Sequence, residues 1–147
     1  MFKYSRSICI AASSFLLMTT ATPALSAEPA GPEKYVMQIS DMDPDKQERI
    51  LNVARNVLDA YPPGEAEVEI VAFGPGLRLL FENNVNAKRI DSLAQSGVKF
   101  SACGNTIKGM TKLMGEAPKL NPVATVVPAG VVRIGQLSKQ DYIYIKP

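Results

Sequence analysis

From residue 34 to the end of the chain, short strand-like runs alternate with helix-period segments, joined by connections of only a few residues. This alternation restricts the fold most, because consecutive parallel strands need a crossover and a helix is the usual one. Residues 34–39 form an apolar strand pattern. Asp43 and Pro44 then supply an N-cap and a first-turn proline for a helix whose apolar stripe is Ile50, Leu51, Val53, Ala54, Val57 and Leu58. Tyr61-Pro62-Pro63-Gly64 stops that helix. Glu65, Glu67 and Glu69 alternate with Ala66, Val68 and Ile70 ahead of Val71-Ala72-Phe73. The pattern predicts a strand that starts half exposed and ends buried.

Gly74, Pro75 and Gly76 turn the chain into a short helix at 77–82, and a second helix carries Ile90, Leu93 and Ala94 on one face before Gly97. Residues 98–103 read as the third strand, and Ile107, Met110, Leu113 and Met114 mark the helix after it. A strand at 124–127, a helix at 129–139 and a strand at 142–145 complete the pattern. The expected architecture is an α/β three-layer sandwich, with a mostly parallel sheet of about five strands and helices on both faces.

The first stretch is excluded from this fold reasoning. Lys3 and Arg6 precede an apolar, small-residue run, and Ala24-Leu25-Ser26-Ala27 ends as a signal peptidase site requires, so residues 1–27 read as a cleavable signal peptide. Residues 28–33 are a linker and residues 34–147 one domain. Export places the mature domain in the periplasm or outside the cell, with no membrane anchor after cleavage. Removing Lys3 and Arg6 leaves 14 basic against 14 acidic side chains. A neutral domain has no basic excess for nucleic acid or anionic membranes.

The chain has two cysteines, and cleavage removes Cys9, leaving Cys103 alone in an oxidising compartment. The chain contains no histidine. Ser-His-Asp or Cys-His catalysis, His-ligated zinc and a His proton shuttle are therefore unavailable within one chain. No cofactor or metal is expected. Cys103 falls where a strand passes into a helix, where free amides and the helix dipole favour thiolate over thiol. It is a reactive thiol, a cysteine bridged to another molecule, or a small buried hydrophobe.

In parallel sheets, ligands gather at the carboxyl ends of the strands. The turns there are 39–43, 73–76, 103–106 and, as a fourth, Val127-Pro128-Ala129-Gly130. A site at these turns combines Cys103 with Gly104, Asn105, Thr106, Lys108, Gly74, Pro75, Gly76 and Arg78. Asn105 is expected as the N-cap of the helix, and Lys108 as a charge folding back toward sulfur. Other motifs have plainer readings. Asp41-Met42-Asp43-Pro44-Asp45 lacks the glycine and distal glutamate of a calcium loop and caps a helix instead. Gly74-Pro75-Gly76 is a tight turn, too short for a phosphate loop. Met110 and Met114 are expected to fill core.

Three segments carry a resemblance: Gly-Val-Lys-Phe-Ser-Ala-Cys-Gly-Asn-Thr at 97–106, Phe-Gly-Pro-Gly-Leu-Arg-Leu-Leu at 73–80, and Val-Val-Pro-Ala-Gly-Val at 126–131. With the ending at 140–147, they resemble the DsrE/DsrF-like family. That resemblance implies a YchN-like, flavodoxin-like sandwich that assembles into trimers or hexamers. It also implies that Cys103 occupies the place of the cysteine that carries a persulfide in sulfur-relay members. The expected function is an exported sulfur carrier or sulfurtransferase-type protein, with a thiol or persulfide donor protein as partner. Two alternatives stay open: an oligomeric small-ligand-binding module, and a thiol redox sensor.

Overall fold

A computed structural model of the chain describes residues 31–147. The expected signal peptide at 1–27 and the first part of the expected linker lie outside the described residues. Five strands alternate with helices: β1 (Glu33–Ile39), α1 (Pro44–Ala60), β2 (Ala66–Ala72), a 3-10 helix (Gly74–Leu80), α2 (Ala87–Gln95), β3 (Lys99–Cys103), α3 (Gly104–Met114), β4 (Ala124–Val127), α4 (Gly130–Ser138) and β5 (Ile143–Ile145). Glu33, expected in the linker, already belongs to β1, where its amide donates to Glu65 O at 2.9 Å.

All strand pairs are parallel, in the order β4-β3-β2-β1-β5. The layers are those expected, but the order differs from the 2-1-3-4-5 of flavodoxin itself. From β1 to β4 the chain steps steadily across the sheet. Right-handed crossovers then place α1, α2 and α3 on one face, and the return from β4 to β5 places α4 on the other. The main core agrees. Met37, Ile39, Val68, Ile70, Ala72, Phe100 and Ala102 of the sheet pack against Ile50, Leu51 and Ala54 of α1 and Ile90 and Leu93 of α2. On the opposite face Val36 and Val71 meet Leu137 of α4 and Tyr142.

Local chemistry explains most boundaries. Asp43 Oδ1 accepts from the amides of Asp45 (2.9 Å) and Lys46 (3.1 Å), with Pro44 opening α1. The predicted helix at 77–82 is instead a 3-10 segment beginning at Gly74. Gly76 packs so closely on β1 that a β-carbon there would lie 2.5 Å from Ile39 O. The segment ends because Phe81 pairs with Leu120 in an isolated antiparallel bridge. At the end of α3 the apolar stripe overruns the sheet. Leu113 is 88% and Met114 45% exposed, so neither fills core, while Ile107 and Met110 are partly buried against it.

Candidate functional site

The outgoing connection of β3 passes to one face of the sheet and that of its neighbour β4 to the other. The crevice between their carboxyl ends is the point where parallel α/β sheets bind ligands. Cys103 ends β3 and pairs in register with Val127, which ends β4. Cys103 is thus the residue at the reversal.

Two helices begin there. β3 runs into α3 without a loop, so Cys103 is both the last strand residue and the N-cap, at φ −70° and ψ 114°. Its sulfur makes no cap hydrogen bond of ordinary geometry. From the other side, α4 starts at Gly130, where an added β-carbon would lie 3.3 Å from Cys103 Cβ and 3.1 Å from Phe73 Cδ1. Only a residue without a side chain brings the α4 backbone this close. Gly104 has the same role toward β4, with Val127 O 3.1 Å from where its β-carbon would stand.

Cys103 is 5% exposed. Burial opposes its ionisation, but the Thr106 hydroxyl and the backbone amides of Gly130, Thr106 and Asn105 outweigh it, so the thiol lies below its ordinary value. The activation comes from two helix starts and a hydroxyl, with no ionised side chain among the contributors. Thr106 also joins two turns, its Oγ1 accepting from the Gly74 amide at 2.9 Å. The expected adjacency of the 73–76 and 103–106 turns is therefore present.

Several expected site residues take other roles. Asn105 is not the N-cap; it is an exposed first-turn residue that contributes only its amide, which donates to Pro128 O at 3.2 Å. Lys108 is exposed on α3 and does not act on the sulfur. Arg78 is exposed too, with its guanidinium 5.7 Å from the Phe81 ring centre. It borders an apolar groove of about 440 Å³ that adjoins the thiol site through Gly74 and Thr106, with Met42, Pro75, Met110 and Leu113 among its other walls. Pro75 thus faces this groove, while Gly76 is structural.

The sequence reading missed Glu69. The alternating glutamates suggest an exposed strand start, yet Glu69 is 1% exposed. Arg133 of α4 donates to it through Nε and Nη2 at 2.7 Å each, and Ser101 Oγ donates at 2.6 Å. Beside it, Tyr142 OH donates to Glu67 Oε2 at 2.7 Å. No local signal separates Glu69 from Glu65 or Glu67; an arginine one turn into the last predicted helix was the available hint.

No protein-family model matches the chain, and no curated protein matches it. Among solved structures, it is similar to MTH1491, a protein of unknown function from Methanobacterium thermoautotrophicum. The two share 24% identity with a TM-score of 0.71, over 78% of this chain and 99% of that one. This likeness establishes the shared α/β fold.

Proposed function

We propose that the chain is an exported sulfur carrier of the DsrE/DsrF-like type that accepts, holds and passes sulfane sulfur on Cys103. The observation that carries this reading is the convergence of the α3 and α4 N-termini on one thiol at the β3/β4 reversal. A thiolate held there attacks the outer sulfur of a donor persulfide, R–S–SH. The donor S–S bond breaks, its electron pair leaves with R–S⁻, and Cys103 becomes Cys–S–SH. An acceptor thiolate then attacks that outer sulfur and releases the Cys103 thiolate, so no external oxidant or reductant is consumed.

Self-association fits the same surface. Val126 on the open edge of β4 and Val131 and Val132 on α4 are 56%, 66% and 58% exposed, an apolar strip beside the site. A trimer or hexamer built on this strip would narrow the approach to Cys103. The donor would be a thiol or persulfide protein outside the cytoplasm, reached after signal cleavage.

Intact-mass measurement after exposure of the mature domain to cysteine persulfide tests the reading. The expected result is a gain of one sulfur atom on the wild type, none on Cys103→Ser, and loss of the gain when an acceptor thiol is added. A wild type that gains no sulfur overturns the proposal, and a disulfide-linked dimer would instead favour the redox-sensor reading. The groove bounded by Met42, Pro75, Met110 and Leu113 favours the binding-module reading, because its volume and apolar walls suit a small ligand.

A further inference from the structure

Along α4, the residues that hold the helix to the sheet are unevenly placed. Leu137 is buried against Val36 and Val71, and Ile134 packs beside it, so the carboxyl-terminal half is anchored by apolar contact. The first turn presents no apolar side chain to the sheet, and only its Gly130 backbone rests on Cys103 and Phe73. Gly130 has no side chain, and Val131 and Val132 point to solvent. Its remaining side-chain tie is Arg133, which forms a two-pronged ion pair with the buried Glu69 of β2. Glu69 is itself fixed by Ser101, which lies on the same face of β3 as Cys103, two residues before it.

We infer that Glu69 and Arg133 are positioning residues for Cys103, clamping the first turn of α4 so that the Gly130 amide stays against the sulfur. The assignment rests on Cys103 acting as a thiolate, as proposed above. Fork geometry fixes both the height and the rotation of the arginine relative to the carboxylate, which a single contact would not do. Arg133 N also donates to Ala129 O at 3.0 Å, so the clamped residue closes the first helical turn, the one that contains Gly130. A buried ion pair is weak support for stability, since well-packed apolar residues often replace one without loss. Registering a helix start over a reactive atom gives this pair a role that such a replacement could not fill.

The charged groups near the sulfur must be separated from this effect. On α4 and β2 they are Arg133 and Glu69 themselves, which cancel; Lys108 on α3 is exposed. Two variants use that cancellation. Glu69→Gln combined with Arg133→Met removes both charges together and leaves no buried charge without its partner. Arg133→Lys keeps the charge but not the fork.

The experiment is the alkylation rate of Cys103 by iodoacetamide against pH in the mature domain, with thermal unfolding recorded for each variant. The paired variant is expected to raise the midpoint, cutting the rate at neutral pH about tenfold, while the plateau at high pH does not fall. Arg133→Lys is expected to lie between it and the wild type. Loss of stability alone would change rates across the whole pH range without moving the midpoint. If the wild type has a low midpoint and both variants keep it, the clamp is wrong and the thiolate reading stands. If native wild type does not react at any pH, both fall together.

Discussion

Gly130 stands against Cys103 so closely that a single added β-carbon would come within 3.3 Å of Cys103 Cβ and 3.2 Å of Phe73 Cβ. Neither neighbour can yield easily, because Cys103 is fixed as the end of β3 and Phe73, just past the end of β2, is tied to β1 by its amide, which donates to Ile39 O at 3.1 Å. Gly130→Ala is therefore expected to push the start of α4 outward. The cost should be about 1–3 kcal/mol by overpacking, read from urea denaturation. The same displacement removes the Gly130 amide from the sulfur, so the alkylation midpoint of Cys103 should rise. An unchanged midpoint together with full stability would show that α4 does not act on the thiol.

Thr106 provides a second, independent handle on the thiol. Its hydroxyl favours the thiolate, and its Oγ1 accepts from the Gly74 amide. Thr106→Val should raise the Cys103 midpoint above that of the wild type, which is expected below the free-thiol value of about 8.5. It should also cost about 1 kcal/mol through the lost hydrogen bond. Thr106→Ser should restore most of both. By contrast, Asn105→Ala and Lys108→Ala should each stay within about 0.5 kcal/mol of wild type, as exposed substitutions do, and leave the midpoint in place. A larger shift from Lys108→Ala than from Thr106→Val would reverse the account of how the thiol is activated.

Much of this arrangement could be read from local chemistry. Asp43 and Pro44 announce the start of α1 because capping involves only neighbouring residues, and the alternation of strand and helix implies a parallel sheet because crossovers need helices. What could not be read depends on strand order. Gly130 reaches Cys103 only because β4 lies beside β3 and the next helix crosses to the other face. Asn105 looks like a cap in sequence, but β3 enters α3 without a loop, which moves the cap to Cys103. Glu69 is indistinguishable from the glutamates before it until Arg133 is brought across the sheet. Leu113 continues a helical stripe whose last turn has no sheet beneath it.

Glycines at two positions should respond in opposite directions. Gly76 is pressed on the β1 backbone, with Ile39 O 2.5 Å and Ser40 Cα 2.8 Å from the site of a β-carbon. Both neighbours are main chain, so Gly76→Ala is expected to cost about 3 kcal/mol or more, or to prevent folding. Gly109 lies within α3 with nothing inside 4 Å of its added β-carbon. Gly109→Ala should stabilise the protein by about 0.5–1 kcal/mol through helix propensity. Thermal unfolding of the two variants checks both signs, and equal effects would contradict the close approach at Gly76.

The alkaline limit of stability should depend on Tyr142. Its hydroxyl is pushed up to about 12 by burial, then by the hydrogen bond to Glu67 and the negative charges of Glu67 and Glu69, with Arg133 opposing. A phenol raised above its unfolded value of about 10 contributes stability that is fully present below that value. The contribution is lost as pH rises through the folded one. Wild type should therefore weaken between pH 10 and about 12. Tyr142→Phe has no proton to lose at this position, so its stability should be lower near neutrality by about 1 kcal/mol for the missing hydrogen bond, yet fall less steeply at high pH. Part of the slope should remain, because Tyr35, hydrogen bonded to Tyr61 at 2.7 Å, is also raised to about 12. Urea denaturation at neutral and alkaline pH measures both slopes; parallel curves for the two proteins would mean that folding does not raise the Tyr142 hydroxyl above its unfolded value.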